Sequence, residues 1–241
     1  MNKSIIILVI TILILSGCLP EESPLSDIEI TDPSLIAPSI KLSKSIGEND
    51  RVTNKIEVWL FDKNKNSIEL KGGEIRVNNN VMKIEEFNIT HAPYYSVENT
   101  VELKTDYQFE IELSDGAIYT ASIQTPDKDL KTLNLPSDYN CNNDMNITWK
   151  DIYLYDEMNI GLNCYFSGDS SGGQRLSNLD IEKNYYIKGS YTISKDNFNM
   201  EDGDIYKAII TLTGIKKGII DERLILIEKL NQSFQFQKIY L

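Results

Sequence analysis

From Tyr107 to Leu113 the chain alternates strictly, with Tyr107, Phe109, Ile111 and Leu113 on one parity and Gln108, Glu110 and Glu112 on the other. A period of two puts each set on its own face of an extended strand. On a helix of 3.6 residues per turn the apolar set would scatter around the whole cylinder. Ser114-Asp115-Gly116 follows, and Ile118 to Thr125 runs back with Tyr119, Ala121 and Ile123 in step. Asp-Gly between two alternating runs predicts a hairpin, because glycine takes the positive-φ position of a tight turn without a Cβ clash. Pro126 ends the returning strand.

The same period recurs along the chain. Ile56, Val58 and Leu60 alternate with Glu57, Trp59 and Phe61. Both sets carry apolar side chains, which predicts a strand partly covered on each face. Ile75 and Val77 lead into Asn78-Asn79-Asn80 and then Val81. Asparagine tolerates the left-handed region, so a second hairpin is expected here. Further strands are expected at Met145–Trp149, Ile152–Tyr155, Ile160–Phe166, Tyr185–Ile193, Lys207–Thr213 and Phe234–Tyr240. Ile160, Leu162, Cys164 and Phe166 share one face. Glu222 to Leu230 reads equally as a short helix or a strand.

Many short strands with regular turns and no long helical pattern predict an all-β fold of sandwich type. Asn146-Ile147-Thr148-Trp149 resembles the tryptophan-bearing early strand of an immunoglobulin-like or fibronectin-type-III-like module, and Tyr107 to Thr125 resembles a hairpin closing one. The resemblance implies two such sandwiches in tandem, over residues 40–127 and 128–241, with Asp127 to Ser137 as the join.

The first residues carry an address. Met1–Ser4 holds one cation, Lys3, and Ile5–Leu15 is almost wholly Ile, Leu and Val. That is a signal-peptide pattern, and the run is shorter than the about 20 residues a permanent span needs. It closes on Leu15-Ser16-Gly17-Cys18, which resembles the lipobox of bacterial lipoproteins. The resemblance implies removal of residues 1–17 and lipidation of Cys18 with palmitate-type chains. Each buried methylene adds about 0.8 kcal/mol, and stable anchoring takes more than one chain. Residues 18–39 hold Pro20, Pro24, Pro33 and Pro38 among five acids, a composition that predicts an extended tether. Glu21-Glu22 after the lipidated cysteine resembles the surface-export signal of Bacteroidetes lipoproteins, and Leu19 at the next position favours the outer membrane in a Gram-negative cell.

The net charge of −12 argues against nucleic acid and against adsorption to anionic lipid, since both call for a cationic face. With Cys18 assigned to lipid, Cys141 and Cys164 remain. An exported compartment permits a disulfide between them, and the loop it closes would contribute about 3–4 kcal/mol.

Candidate chemistry is sparse. Gly168-Asp169-Ser170-Ser171-Gly172-Gly173 resembles the Gly-Asp-Ser-Gly-Gly of chymotrypsin-like proteases, but the extra serine breaks the spacing that sets the oxyanion hole. The sole histidine, His91, cannot supply an imidazole metal centre alone and reads as an exposed loop residue. Asp138, Asn140, Asn142 and Asp144 place oxygen ligands at alternating positions, as a calcium loop does, and Asp62, Asn64 and Asn66 repeat the spacing. Neither run has the glycine or distal glutamate of such a loop, and Asx-rich turns form without metal. Trp59, Tyr94 and Tyr95 are the candidate ligand-binding aromatics, and adjacent Tyr94 and Tyr95 must point to opposite faces of a strand. The expected function is a non-enzymatic, membrane-anchored binding, adhesion or envelope-assembly module without a cofactor beyond its lipid. The alternative is a glycan-binding accessory lipoprotein of an uptake system.

Overall fold

The computed structural model describes residues 21–46, 51–127, 142–148, 155–167, 173–180, 189–198, 204–224 and 233–240. The strands are β1 (Ala37–Ile46), β2 (Val52–Phe61), β3 (Glu74–Val77), β4 (Asn80–Val81), β5 (Lys83–Glu86), β6 (Pro93–Val97), β7 (Asp106–Glu112), β8 (Ile118–Gln124), β9 (Met145–Thr148), β10 (Glu157–Ser167), β11 (Gly173–Asp180), β12 (Ser190–Ile193), β13 (Asp204–Lys217), β14 (Ile219–Ile220) and β15 (Ser233–Tyr240). The fold is all-β, and the helical turns among the described residues are short 3-10 turns.

The hairpins form where turn chemistry places them. β7 and β8 pair from Asp106–Gln124 to Glu112–Ile118, and Gly116 sits at φ +81°. Tyr107, Phe109, Ile111, Tyr119, Ala121 and Ile123 are all buried. β3 turns into β4 through Asn78 and Asn79, at φ +46° and +65°. Two successive left-handed residues are what a tight hairpin needs.

One sheet has the order β11-β10-β13-β15-β1-β2-β6-β5, and a second has β14-β8-β7-β3-β4. Their inner faces meet in one core. Ile40, Leu42, Ile56, Val58, Leu60 and Tyr95 come from the first sheet, and Ile75, Val77, Phe109, Ile111 and Tyr119 from the second. β9 and β12 form a separate pair whose Met145, Ile147 and Ile193 are buried in the same cluster.

Strand pairing crosses the expected boundary at residues 127 and 128. β1 pairs in parallel with β15, from Lys41–Ser233 to Ile46–Lys238. β13 lies in the first sheet between β10 and β15, and the chain then passes Gly218 and adds β14 to the edge of β8 in the second. The two halves therefore share both sheets. The physical driver is edge satisfaction: β1 and β8 would each present an open row of backbone donors and acceptors, and the later strands occupy both.

The stretch expected as a tether is docked from Glu21 onward. Ser23 N–H donates to Ser67 O (2.7 Å), Ser67 N–H donates to Glu21 O (2.5 Å), and Ser114 N–H donates to Ile30 O (3.1 Å). Ile30 and Ile36 are core residues. Pro24 and Pro33 start 3-10 turns capped by the side chains of Ser23 and Asp32. Proline there loses no hydrogen bond and sets the backbone angle the turn requires, so prolines that suggest a linker instead fold a segment across one end of the sandwich.

Candidate functional site

The outer face of the first sheet carries a row of aromatic rings. β2 buries Ile56, Val58 and Leu60, and leaves Glu57, Trp59 and Phe61 half-buried on the other face. In β6, Tyr95 is buried and Tyr94 half-exposed. Val58 pairs with Tyr95, so the next rung brings Tyr94 beside Trp59. Their ring centroids lie 4.9 Å apart at 13° between planes. Phe61 stacks on the other neighbour position of Trp59 at 6.0 Å and 4°, and Phe87 meets Trp59 edge-on at 6.0 Å. Offset stacking of this kind adds about 0.5–1.5 kcal/mol per pair beyond burial. It also engages Trp59 with two stacked neighbours, so the rings present a strip rather than a flat platform.

A carboxylate borders the strip. β5 pairs Glu85 with Tyr94 and Lys83 with Ser96. Tyr94 O–H donates to Glu85 Oε2 (2.7 Å), and Ser96 O–H donates to Glu85 Oε1 (2.5 Å). The Ser96 and Tyr94 hydrogen bonds hold the Glu85 carboxyl below its ordinary value. The Glu85 hydrogen bond, with burial and the nearby carboxylates adding to it, pushes the Tyr94 phenol up to about 12. At neutral pH the strip therefore presents a carboxylate held in place by two hydroxyl donors, and a neutral phenol oxygen, beside apolar rings. That combination suits recognition of a ligand with apolar faces and hydroxyl or amide edges.

Trp59 and Tyr94 are thus brought together on one face, and Tyr95 is not. Its ring is 2% exposed inside the core, and its hydroxyl accepts from Leu70 N–H (2.6 Å). It is a packing residue, as the alternation of adjacent strand residues requires. Phe61, Phe87, Glu85 and Ser96 complete the strip. Phe61 was legible as the same-face neighbour of Trp59 two positions on, whereas Phe87 and Glu85 become neighbours only through the β5–β6 register.

The Asx-rich loop Asp62–Asn66 is closed by its own hydrogen bonds. Asp62 Oδ1 accepts from Asn64 N–H (2.8 Å) and Asn66 N–H (2.9 Å), and Oδ2 accepts from Ser23 O–H (2.7 Å). Burial raises the Asp62 carboxyl, but the donors Ser23, Asn66 and Asn64 outweigh it and leave the group below its usual range. The lone pairs a calcium ion would need point at N–H and O–H groups. Of the other candidate calcium residues, Asp144 is exposed and accepts from Lys195 N–H (2.8 Å), Asn142 is exposed, and Asp138 and Asn140 lie outside the described residues. Among the described residues no three metal-type side chains converge. Cys18 and Cys141 also lie outside the described residues, and with them the lipidation site and the expected disulfide, whose second residue Cys164 falls in β10. His91 sits exposed at φ +57° in the β5–β6 loop, with Nδ1 3.0 Å from Glu86 Oε2. The serine-bearing loop 168–172 is outside the described residues. No protein-family model matches this chain, and no curated protein matches it.

Proposed function

We propose that this protein is an exported lipoprotein of the cell envelope, anchored through Cys18, that works by binding rather than by catalysis, as an adhesion or envelope-assembly module. The observation that carries the reading is the strip of Phe61, Trp59 and Tyr94 bordered by Glu85 on an outer sheet face. An aromatic row with fixed polar groups beside it is a recognition feature. The immunoglobulin-like reading is supported by strand order: β1-β2-β6-β5 over β8-β7-β3 matches the A-B-E-D over G-F-C order of constant-type domains. The alternative of glycan capture is favoured by the same rings, because the C–H face of a sugar packs on an aromatic ring face while its hydroxyls reach Glu85.

Protease treatment of intact and lysed cells tests the location, with a Cys18→Ala variant alongside. Digestion on intact cells places the domain at the surface, and digestion only after lysis places it in the periplasm. A Cys18→Ala protein that stays in the membrane fraction refutes the anchor. A glycan array with wild type and Trp59→Ala separates the two binding readings. Glycan capture predicts retention that the substitution abolishes, and no retained sugar leaves the protein-partner reading.

A further inference from the structure

The docking of residues 21–36 leaves very little chain between the anchor and the fold. Only Leu19 and Pro20 separate Cys18 from Glu21, whose carbonyl is held by Ser67 N–H. At full extension three peptide steps reach about 11 Å. An interfacial headgroup layer is itself about 5–7 Å deep on each side of the hydrocarbon. A sandwich fixed at Glu21 therefore cannot stand off from lipid that holds Cys18.

The end of the molecule beside Glu21 is defined by strand pairing. Phe61 pairs with Ala37, so the ends of β1 and β2 lie together there. Ser67 bridges to Phe61, and its hydroxyl donates to Pro93 O at the start of β6. Loops 62–67 and 87–92 thus flank the docked segment at one end. Here sit Ile89, 68% exposed, and Ile28, 49% exposed, next to half-buried Phe87. The charges are mixed: exposed Lys63 and Lys65 face the same end as exposed Glu21, Glu22 and Asp27. The balance is acidic, with exposed Glu29 beside Ile28 adding to it, so the exposed isoleucines here suit a zwitterionic lipid interface and not an anionic one.

We propose that this end of the sandwich rests on the lipid surface that carries the Cys18 acyl chains, with Ile28 and Ile89 in the headgroup layer. The inference rests on the anchor reading above. It fixes the orientation of the aromatic strip: Trp59 pairs with Ser39, two residues from the Phe61–Ala37 end, or about 7 Å up the strand. The strip then opens just above the membrane and meets ligands presented at that surface.

The test uses full-length lipidated protein in phosphatidylcholine vesicles with acyl-brominated phosphatidylcholine as quencher. Trp59→Phe and Trp149→Phe remove the native indoles, and Ile89→Trp, Ile28→Trp or Asn99→Trp supplies a single reporter. Asn99 lies in the loop after β6, at the opposite end of the strands. Brominated lipid should lower emission about twofold for Ile89→Trp and Ile28→Trp and leave Asn99→Trp unchanged, since only the first two would lie at bilayer depth. A Gly/Ser insertion of about 20 residues after Leu19 should relieve the quenching while the protein still floats with the vesicles. Floating protein with unquenched Ile89→Trp and Ile28→Trp, or with all three quenched alike, overturns the orientation but leaves the anchor intact. Protein that does not float overturns the anchor, and the orientation falls with it.

Discussion

The Ser23 hydroxyl donates to Asp62 Oδ2 at 2.7 Å, joining two residues 39 positions apart. Both are buried, at 2% and 5% exposure. This contact turns a proline-rich, acidic leader segment into part of the fold. The carboxylate organises its own loop through Asn64 and Asn66 while it clamps the segment that precedes β1.

Asp62→Ala should destabilise the protein by about 2–4 kcal/mol, because it strands several donors in a buried site that had a charged acceptor. Ser23→Ala should lose less, about 1–2 kcal/mol, since the loop donors still hold the carboxylate. Urea denaturation checks both. Equal losses would place the role of Asp62 in the Ser23 contact alone.

Acid should expose the same group. Its folded-state pKa is depressed, so its contribution is present above the ordinary carboxyl value of about 3.9 and is lost as pH falls through the lower folded value. Stability measured across pH 2–5 should fall more steeply for wild type than for Asp62→Asn. Parallel curves would assign the acid loss to other carboxylates.

Tyr95 governs the alkaline side. Burial pushes its phenol up to about 12, against which the Leu70 hydrogen bond acts only in part. A raised pKa contributes stability that is complete below the unfolded value of about 10 and is lost as pH rises through the folded one. Absorbance at about 295 nm should show a tyrosine class titrating late, near 12, and Tyr94 belongs to it as well. Tyr95→Phe should remove one late phenol and cost about 1–3 kcal/mol by orphaning Leu70 N–H.

Arg76 on the second sheet faces Glu74, Glu110 and Glu112, with Nη1 2.9 Å from Glu112 Oε2 and 3.8 Å from Glu110 Oε2. All four side chains are partly solvated, so the network is worth about 1 kcal/mol. Arg76→Ala leaves three carboxylates together, and its cost should shrink as sodium chloride screens them. A cost independent of salt would mean that the arginine acts through packing.

Gly214 in β13 lies under the Tyr155 ring, and a Cβ there would come within 2.6 Å of it. Tyr155 is 5% exposed. Gly214→Val should displace the ring and cost about 1–3 kcal/mol, visible as lower thermal stability and altered near-UV circular dichroism. An unchanged spectrum would separate the ring from this strand.

The strands most legible in the sequence are those fixed by local chemistry. Asp115-Gly116 and Asn78-Asn79 announce their turns, and the parity of Tyr107 to Leu113 sets its buried face. Trp59 could be singled out because its strand is apolar on both parities. The β1–β15 and β8–β14 pairings carry no such local mark, since an edge strand has the same alternation whichever chain segment completes it. The docked segment misleads for another reason. Proline and acidic residues suit a solvated linker and a capped 3-10 turn alike, and only Ile30 and Ile36 distinguish the two. The strip at Trp59 is half legible, because Glu85 and Phe87 join it through register.

Parallel pairing of β1 with β15 ties residues 41–46 to residues 233–238. A chain that emerges amino end first cannot join β1 to β13 in its larger sheet until β15 arrives between them. Until then β1 has one unpaired edge, in a segment close to the proposed point of attachment. Contacts of such long sequence separation make folding slow, and an open strand edge invites pairing with another copy. Loss of the last ten residues should therefore do more than shorten the protein: it should leave its central seam open and convert a folding problem into an aggregation problem.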